Sequence, residues 1–438
     1  MPVSEKQLKD SGVEWIGKIP QSWNIKTLRR LARVVNGATP KSDVPEFWDG
    51  NIKWATPEDL GKNEGKFISE TRRMITEKGF ESCGTNLLPK GSVVLSTRAP
   101  IGLCAVNTVP MCINQGCRGV IPEKELDTSF AYYVLIAGTK PLEALGTGST
   151  FTELGRNLLL NFELPLPERQ EQKRLAFFLD SKTSLIDRAI EEKRKLVELL
   201  KEKRAAMIHQ AVTRGLDENA ELVDSGVEWI GKIPQSWNIS KAKTFIAAEK
   251  SGVWGDEAKG DGNDLPCLRV ADFDHDHLSF GSVETIRNID PKQQYRILKD
   301  GSVLIEKSGG GEKQPVGRAI YFHSNQKMVC ANFIDSIETN NRVMPKFFTY
   351  ALSAAYSAGL NTKAIKQSTG IQNLDTKSYF NEQFPLPPKE TQVQVIDFLD
   401  SKTSLIDQAI EQVEKSIGLL MEYRGSLIFN VVTGKIIV

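Results

Sequence analysis

DSGVEWIGKIPQSWNI occupies residues 10–25, and the same stretch returns unchanged at 224–239. Long internal identity fixes architecture before any local pattern does, because it means that one structural unit has been copied. A second match, LDSKTSLID at 179–187 and again at 399–407, gives the copy its length. The two matches are offset by 214 and 220 residues, so the halves are nearly equal with small insertions between them. Weaker echoes keep the same order: GSVVLS at 91 with GSVLIE at 301, SFAYYVLIAG at 129 with KFFTYALSAA at 346, GST at 148 with QST at 367, and ELPLPE at 163 with QFPLPP at 383.

Each half reads as a variable region, a Pro-rich hinge and a long helix. The hinges are LPLP at 164–167 and FPLP at 384–387, where proline removes a donor and biases its predecessor to extended backbone. Helices are therefore expected from about Glu168 to Thr213 and from Pro388 to Val432, with only Gly418 and Gly425 interrupting the second. Ile410, Val413, Ile417, Leu420, Leu427 and Val431 follow heptad steps, and Ile190, Val197, Leu200, Met207 and Ala211 do so in the first helix. Two matched helices, each following a globular module, predict an antiparallel pair related by a pseudo-two-fold axis. The variable regions alternate β-rich runs such as SVVLS, IGLCAV, SVLIE and VGRAIYF with Gly, Pro and Asn breaks, and each adds one amphipathic helix. The fold class is α+β: two similar globular domains joined by two long helices forming an antiparallel coiled coil. The expected boundaries are 1–163 and 216–383 for the domains, with hinge and helix at 164–215 and 384–438.

At 438 residues the chain exceeds a single core, and 40% hydrophobic with 25% charged residues is ordinary for a soluble globular protein. No run approaches a membrane span, and MPVSEKQLKDSG lacks the basic and apolar regions of a secretory signal, so a cytoplasmic chain is expected. The six cysteines (Cys83, Cys104, Cys112, Cys117, Cys267, Cys330) contain no C-x-x-C pair and read as reduced thiols. The net charge of +1 neither supports nor excludes nucleic acid, because local patches bind phosphate.

Catalytic motifs are missing. SGGGEK at 308–313 has glycines without the frame of a phosphate loop, and there is no G-x-G-x-x-G after a strand, no G-x-S-x-G elbow and no H-E-x-x-H. Four histidines leave little for general acid-base work. DFDHDH at 272–277 alternates carboxylates and imidazoles but lacks the Gly and Glu of a calcium loop, so a solvated turn is expected there and no metal. Two similar heads on a bar, without an active site, suit a protein that holds or measures something.

The order G-x-x-W-x-G-x-I-P-x-x-W, a variable region, PLPERQEQ at 165–172 and a long helix, all repeated, resembles the specificity subunit of Type I restriction-modification systems. NGATP at 36–40 also looks like the family, whereas the second half carries SGVWGD at 251 and PLPPKETQ at 385 in the corresponding places. The resemblance spans essentially the whole chain. It implies a non-catalytic DNA-recognition subunit in which each variable region reads one half of a split site. It also implies that the helices set the spacing and dock two methyltransferase subunits, with motor-nuclease subunits joining for restriction. No cofactor is expected in this chain, S-adenosylmethionine belonging to the partner methyltransferase. A self-sufficient methyltransferase would need a cofactor loop and an N/D-P-P-Y/F motif, neither of which is present. A scaffold with two protein-binding heads is the alternative.

Base readout needs fork-like or amide side chains, with Lys, Ser and Thr on phosphates. Candidates in the first head are Lys41, Lys53, Lys62, Lys66, Arg72, Arg73, Arg98 and Arg118, with Ser149 and Thr150. In the second they are Arg269, Lys307, Lys313, Arg318, Lys363, Lys366, Gln367, Ser368, Thr369 and Gln372. NTKAIKQSTGIQN at 361–373 gathers lysines, amides and hydroxyls into one Gly-bearing stretch, read as a loop. For Arg98 a structural ion pair competes equally with a DNA contact.

Overall fold

The computed structural model describes residues 8–146, 153–368, 370–436 and 438. Its contacts divide the chain into two units, Met1–Glu192 with Ser416–Val438, and Lys193–Lys415.

In the first unit the strands Ala32–Asn36, Cys117–Pro122, Val93–Ser96 and Cys104–Asn107 lie side by side antiparallel, and Phe67–Ile68 adds a parallel edge. The apolar runs expected to be strands are buried on both faces, as the period of two requires. Val93 and Leu95 enter a core with Phe130 and Leu179, while Val94 enters another with Ala55, Leu60 and Ile113. A smaller sheet places Trp48–Ala55 between Cys112–Ile113 and Arg73–Ile75. Helix α1 (Thr128–Ala137) starts at Asp127, whose carboxylate accepts from the amides of Ser129 and Phe130. Its Phe130–Leu135 run is buried all round rather than along one stripe.

The second unit repeats this plan. Strands Ile246–Ser251, Ile334–Thr339, Val303–Glu306 and Ala319–Tyr321 form its antiparallel sheet, and Asp256–Glu257, Ile286–Asn288, Asp264–Leu268 and Val329–Cys330 form the smaller one. Two long helices, α2 (Arg169–Arg214) and α4 (Lys389–Val432), follow the hinges, and α3 (Pro345–Ser357) corresponds to α1. In the first unit Leu175, Ile186 and Ile190 of early α2 share a core with Leu427, Ile428 and Val431 of late α4. In the second, Ile208, Ala211 and Val212 of late α2 share one with Val395, Ile396 and Leu399 of early α4. Within each unit the pairing is the antiparallel one that the duplication predicts.

Each repeated segment has a packing reason for its identity. Residues 8–10 and 18–20 form a short hairpin, and 222–224 with 232–234 form the same hairpin again. Helix α2 ends at left-handed Gly215, where an added Cβ would stand 3.0 Å from the Trp237 ring. Helix α4 ends at left-handed Gly434, against Pro20 and Trp23. Each framing segment thus seats the end of a long helix, and each glycine is needed for both its positive φ and its close approach. In LDSKTSLID, Asp180 accepts from Tyr133 Oη (2.7 Å) and Lys66 Nζ (2.7 Å), and Asp400 accepts from Tyr350 Oη (2.7 Å) and Lys346 Nζ (2.6 Å). These bonds join head to helix in both units.

The start of each long helix is held by a buried glutamine. Gln172 accepts from the Asp127 amide (2.8 Å) and donates to the carbonyls of Glu125 and Pro167 (both 2.9 Å). Gln392 accepts from the Met344 amide (2.7 Å) and donates to Arg342 (3.1 Å) and Pro387 (2.9 Å). PLPPKETQ therefore keeps the buried glutamine of PLPERQEQ, whereas Glu171, which accepts from Trp23 Nε1 (3.2 Å), and Arg169, which donates to Lys124 O, give way to Thr391 and Lys389.

Candidate nucleic-acid interface

Both heads gather their loops at one end of the larger sheet. In the first, an added Cβ on Gly37 would lie 2.0 Å from the Asn114 carbonyl oxygen, and on Gly252 in the second it would lie 2.1 Å from that of Ala331. SGVWGD therefore departs from NGATP around a shared glycine: only a residue without Cβ lets this loop lie against the neighbouring strand. In the first head two indoles pin the loop, Trp54 Nε1 donating to Ala38 O (3.0 Å) and Trp48 Nε1 to Lys41 O (3.1 Å). Lys41 is exposed and has no ion-pair partner among the described residues.

At this end the two heads carry opposite buried charge. Arg118 pairs in register with Asn36, and Asp335 pairs in register with Ser251, on equivalent strands. Arg118 is buried, donates to the carbonyls of Gln115 (2.9 Å) and Cys117 (3.0 Å), and shares Glu153 with Arg98 at 3.2 and 3.0 Å. Asp335 is buried and accepts from Lys307 Nζ (2.7 Å) and Ser251 Oγ (2.7 Å). A buried charge is tolerated when paired and hydrogen-bonded, so Arg118 and Lys307 are committed to the frame. Beside Lys307 the carboxyl of Glu306, 5% exposed, is pushed up to about 7 by burial, with Arg318 opposing the shift.

The other first-head candidates are mostly occupied. Lys53 pairs with Glu70, Lys62 and Arg72 share Glu58 (2.8 and 3.2 Å), and the Arg73 guanidinium lies 3.4 Å from the Trp48 ring centroid. Lys66 belongs to the joint with α2, as its bond to Asp180 requires. Ser149 and Thr150 lie outside the described residues.

In the second head, the stretch read as a loop at 361–373 is largely a hairpin, Ile365–Ser368 against Ile371–Leu374 with left-handed Gly370 at the turn. Its two glutamines are directly opposed in this ladder yet differ in exposure. Gln367 is exposed. Gln372 is buried, its Oε1 facing the Val316 amide (3.4 Å) and its carbonyl accepting from Gly309 N (3.1 Å), so it ties the 308–316 loop to the hairpin instead of lying open. Leu374 N donates to Lys307 O (2.8 Å), and Asn361 Nδ2 to Val316 O (2.7 Å), completing a two-ply platform. Lys313 stands exposed on that loop without an ion-pair partner among the described residues. Lys366 pairs with Asp375 (2.6 Å), Lys363 reaches Glu228 at 3.8 Å, Arg269 pairs with Asp272 (2.9 Å), and Arg318 donates to Tyr356 Oη (3.2 Å). Ser368 is in the hairpin strand, and Thr369 lies outside the described residues.

Glu153, Asp335, Trp48 and Trp54 were not singled out by the sequence. Apart from Lys41, seven residues before Trp48, their partners stand too far along the chain for local spacing to reveal them. Among the described residues no cluster of His, Cys, Asp or Glu could hold a metal, and no helix is long and apolar enough to cross a membrane.

A family model described as the Type I restriction modification DNA specificity domain matches residues 20–199 and again 234–415. The MjaIX specificity subunit of a Type I restriction enzyme from Methanocaldococcus jannaschii is 28% identical over 439 residues, covering 96% of this chain and 95% of its own. The StySPI specificity subunit from Salmonella potsdam is 20% identical over 441 residues, covering 96% and 90%. Among solved structures, a chain from work on complex assembly and conformational transition of the Type I restriction-modification system is similar with a TM-score of 0.72 at 14% identity, covering 95% of this chain and 99% of that one. The HsdS subunit from Thermoanaerobacter tengcongensis gives 0.50 at 15% identity, covering 95% and 98%.

Proposed function

We propose, from the premise that the chain belongs to the family of Type I restriction-modification specificity subunits, that each head reads one half of a split DNA site while partner subunits carry the chemistry. The observation that supports this is one scaffold with two different reading ends. Sheet, glycine loop and helix joint are repeated, whereas the buried charge beneath the loops is Arg118 in one head and Asp335 in the other. Two heads carried on one chain act as a bivalent reader, the second contact being intramolecular.

Exposed and uncommitted side chains lead the contact assignment. Lys41 and Lys313 would meet phosphates, and Gln367 a base edge. Arg98, Arg269, Arg318, Lys363 and Lys366 would do so by exchanging a protein carboxylate or hydroxyl for DNA, whereas Arg118, Lys307 and Gln372 hold the loops in place. The recognition domains are 1–163 and 216–383. Methyltransferase subunits would dock twice on matched apolar positions of the helices: Leu185 and Leu405 are 55% and 56% exposed, Leu199 and Leu419 are 61% and 58%. S-adenosylmethionine would bind on those subunits, motor-nuclease subunits would join for restriction, and the complex would work in the cytoplasm.

The test is an exchange of residues 26–160 for the variable region of a relative, followed by sequencing of methylated DNA after co-expression with a methyltransferase subunit. One half of the site should change and the other persist. A change in both halves, or methyl transfer by the purified chain alone, refutes the reading.

A further inference from the structure

DFDHDH at 272–277, expected to be a solvated turn, folds as a tight hairpin in which Phe273–Asp274 pairs with Ser279–Phe280. Its tip reaches both long helices of its own unit. His277 Nδ1 is 2.7 Å from Asp274 Oδ2, and its Nε2 is 3.7 Å from Asp407 Oδ2 on α4. Asp276 Oδ1 is 3.5 Å from Arg204 Nη1 on α2.

The duplication supplies an internal control. Arg204 and Asp407 correspond to Arg424 and Asp187, the same 220 residues apart in each case. In the first unit Arg424 and Asp187 close on each other, with Nε–Oδ1 at 2.8 Å and Nη2–Oδ2 at 3.3 Å. In the second, Arg204 Nε stands 3.4 Å from Asp407 Oδ1 without hydrogen-bond alignment and is buried with no other partner among the described residues. Here the Arg204 side chain is 10% exposed and that of Asp407 13%, against 28% and 45% for the first pair. The head has inserted its own carboxylate and imidazole beside a pair that in the first unit closes on itself with Tyr132 alongside. Two charges so far out of water need every available partner, and the hairpin tip supplies them.

We propose that Asp276 and His277 are positioning residues that clasp the second head to Arg204 and Asp407, fixing that head's seat on its helices and so restricting the spacing accepted between the half-sites. The functional part rests on the split-site reading above; the clasp itself does not. The hairpin is also bonded to its own sheet, Tyr321 N donating to Leu278 O (2.8 Å), so a held tip holds the sheet. Among the described residues the first head has no such hairpin, and it is seated by the Tyr133–Asp180–Lys66 cluster that both units possess in equivalent form.

The experiment uses the full chain with Asp276→Asn and His277→Gln together, both side chains being more than half exposed, and Asp276→Glu as the conservative control. Hydrogen exchange over 270–281 is measured on the chain alone. Methylation is measured with methyltransferase subunits on duplexes that keep both half-sites and vary the gap by one base pair either way. The double variant should exchange faster by roughly two- to fivefold, the range of one partly exposed ion pair. Off-spacing duplexes should gain by a similar factor relative to the native gap, with the half-site sequences unchanged and Asp276→Glu retaining the native profile. Unchanged exchange overturns the clasp. Faster exchange with an unchanged gap preference overturns its role in spacing, as does a uniform loss on all duplexes. If the unaltered chain directs methylation to no split site, the reading above fails while the exchange arm still decides the clasp.

Discussion

Replacing Glu306 by glutamine isolates a carboxyl buried directly beneath the second head's loops. Burial raises it from 4.5 to about 7, so the folded chain favours the neutral acid. The sign follows from linkage: a group whose folded value lies above its unfolded one contributes stability that is present below about 4.5 and lost as pH rises through about 7. A gap of about 2.5 units at roughly 1.36 kcal/mol each corresponds to on the order of 3 kcal/mol in total, most of which falls between pH 5 and 8. The assay is hydrogen exchange of peptides covering 303–306 and 334–339, across that range, in the unaltered chain and in Glu306→Gln. A buried amide adds an offset of its own, but that offset is independent of pH and cancels when the slopes are compared. The protection of the unaltered chain should fall relative to the variant by about 2–3 kcal/mol from pH 5 to pH 8. Parallel profiles would show that the carboxyl is ionised and compensated throughout, and the account of this site would fail.

Three further outcomes follow from the geometry. Gln172→Ala strands the Asp127 amide and two carbonyls and should destabilise the first unit by about 2–4 kcal/mol, and Gln392→Ala should do the same to the second; urea unfolding that leaves either unit unaffected contradicts the joint. Lys313→Ala should weaken binding to all DNA sequences and lower the salt slope by about one, while Gln367→Ala should relax preference at a single base; titrations at two salt concentrations that leave both unchanged remove this platform from the interface. Inserting four residues into each long helix, near Glu198 and near Gly418, lengthens each by about 6 Å and should widen the methylated gap by about one or two base pairs at 3.4 Å per step. Methylation retained only at the original gap would show that the helices do not set the spacing.

The duplication, the proline-free helices behind their hinges, the α+β heads and the family were legible in the sequence because each is written in local order: identical segments, proline positions, periodicity of two or of seven. The sequence also showed where NGATP and PLPERQEQ change in the second half. Only the tertiary structure revealed that Gly252 and Gln392, the residues those sites use, survive the change. It likewise decided which cations stay uncommitted. Arg98 and Arg118 are claimed by one Glu153, Lys307 by Asp335 and Lys66 by Asp180, while Lys41 and Lys313 remain open. A basic residue looks the same in sequence whether it faces solvent or a carboxylate dozens of residues away, and the pairing arises only when folding brings distant segments together. The hairpin at 365–374 was hidden for a related reason: its strands are only four residues long and largely polar, and composition alone reads such a stretch as a loop. DFDHDH was read as a turn, and a turn it is; that its tip reaches Arg204 and Asp407 depends on a helix some seventy residues before it and another about a hundred and thirty after.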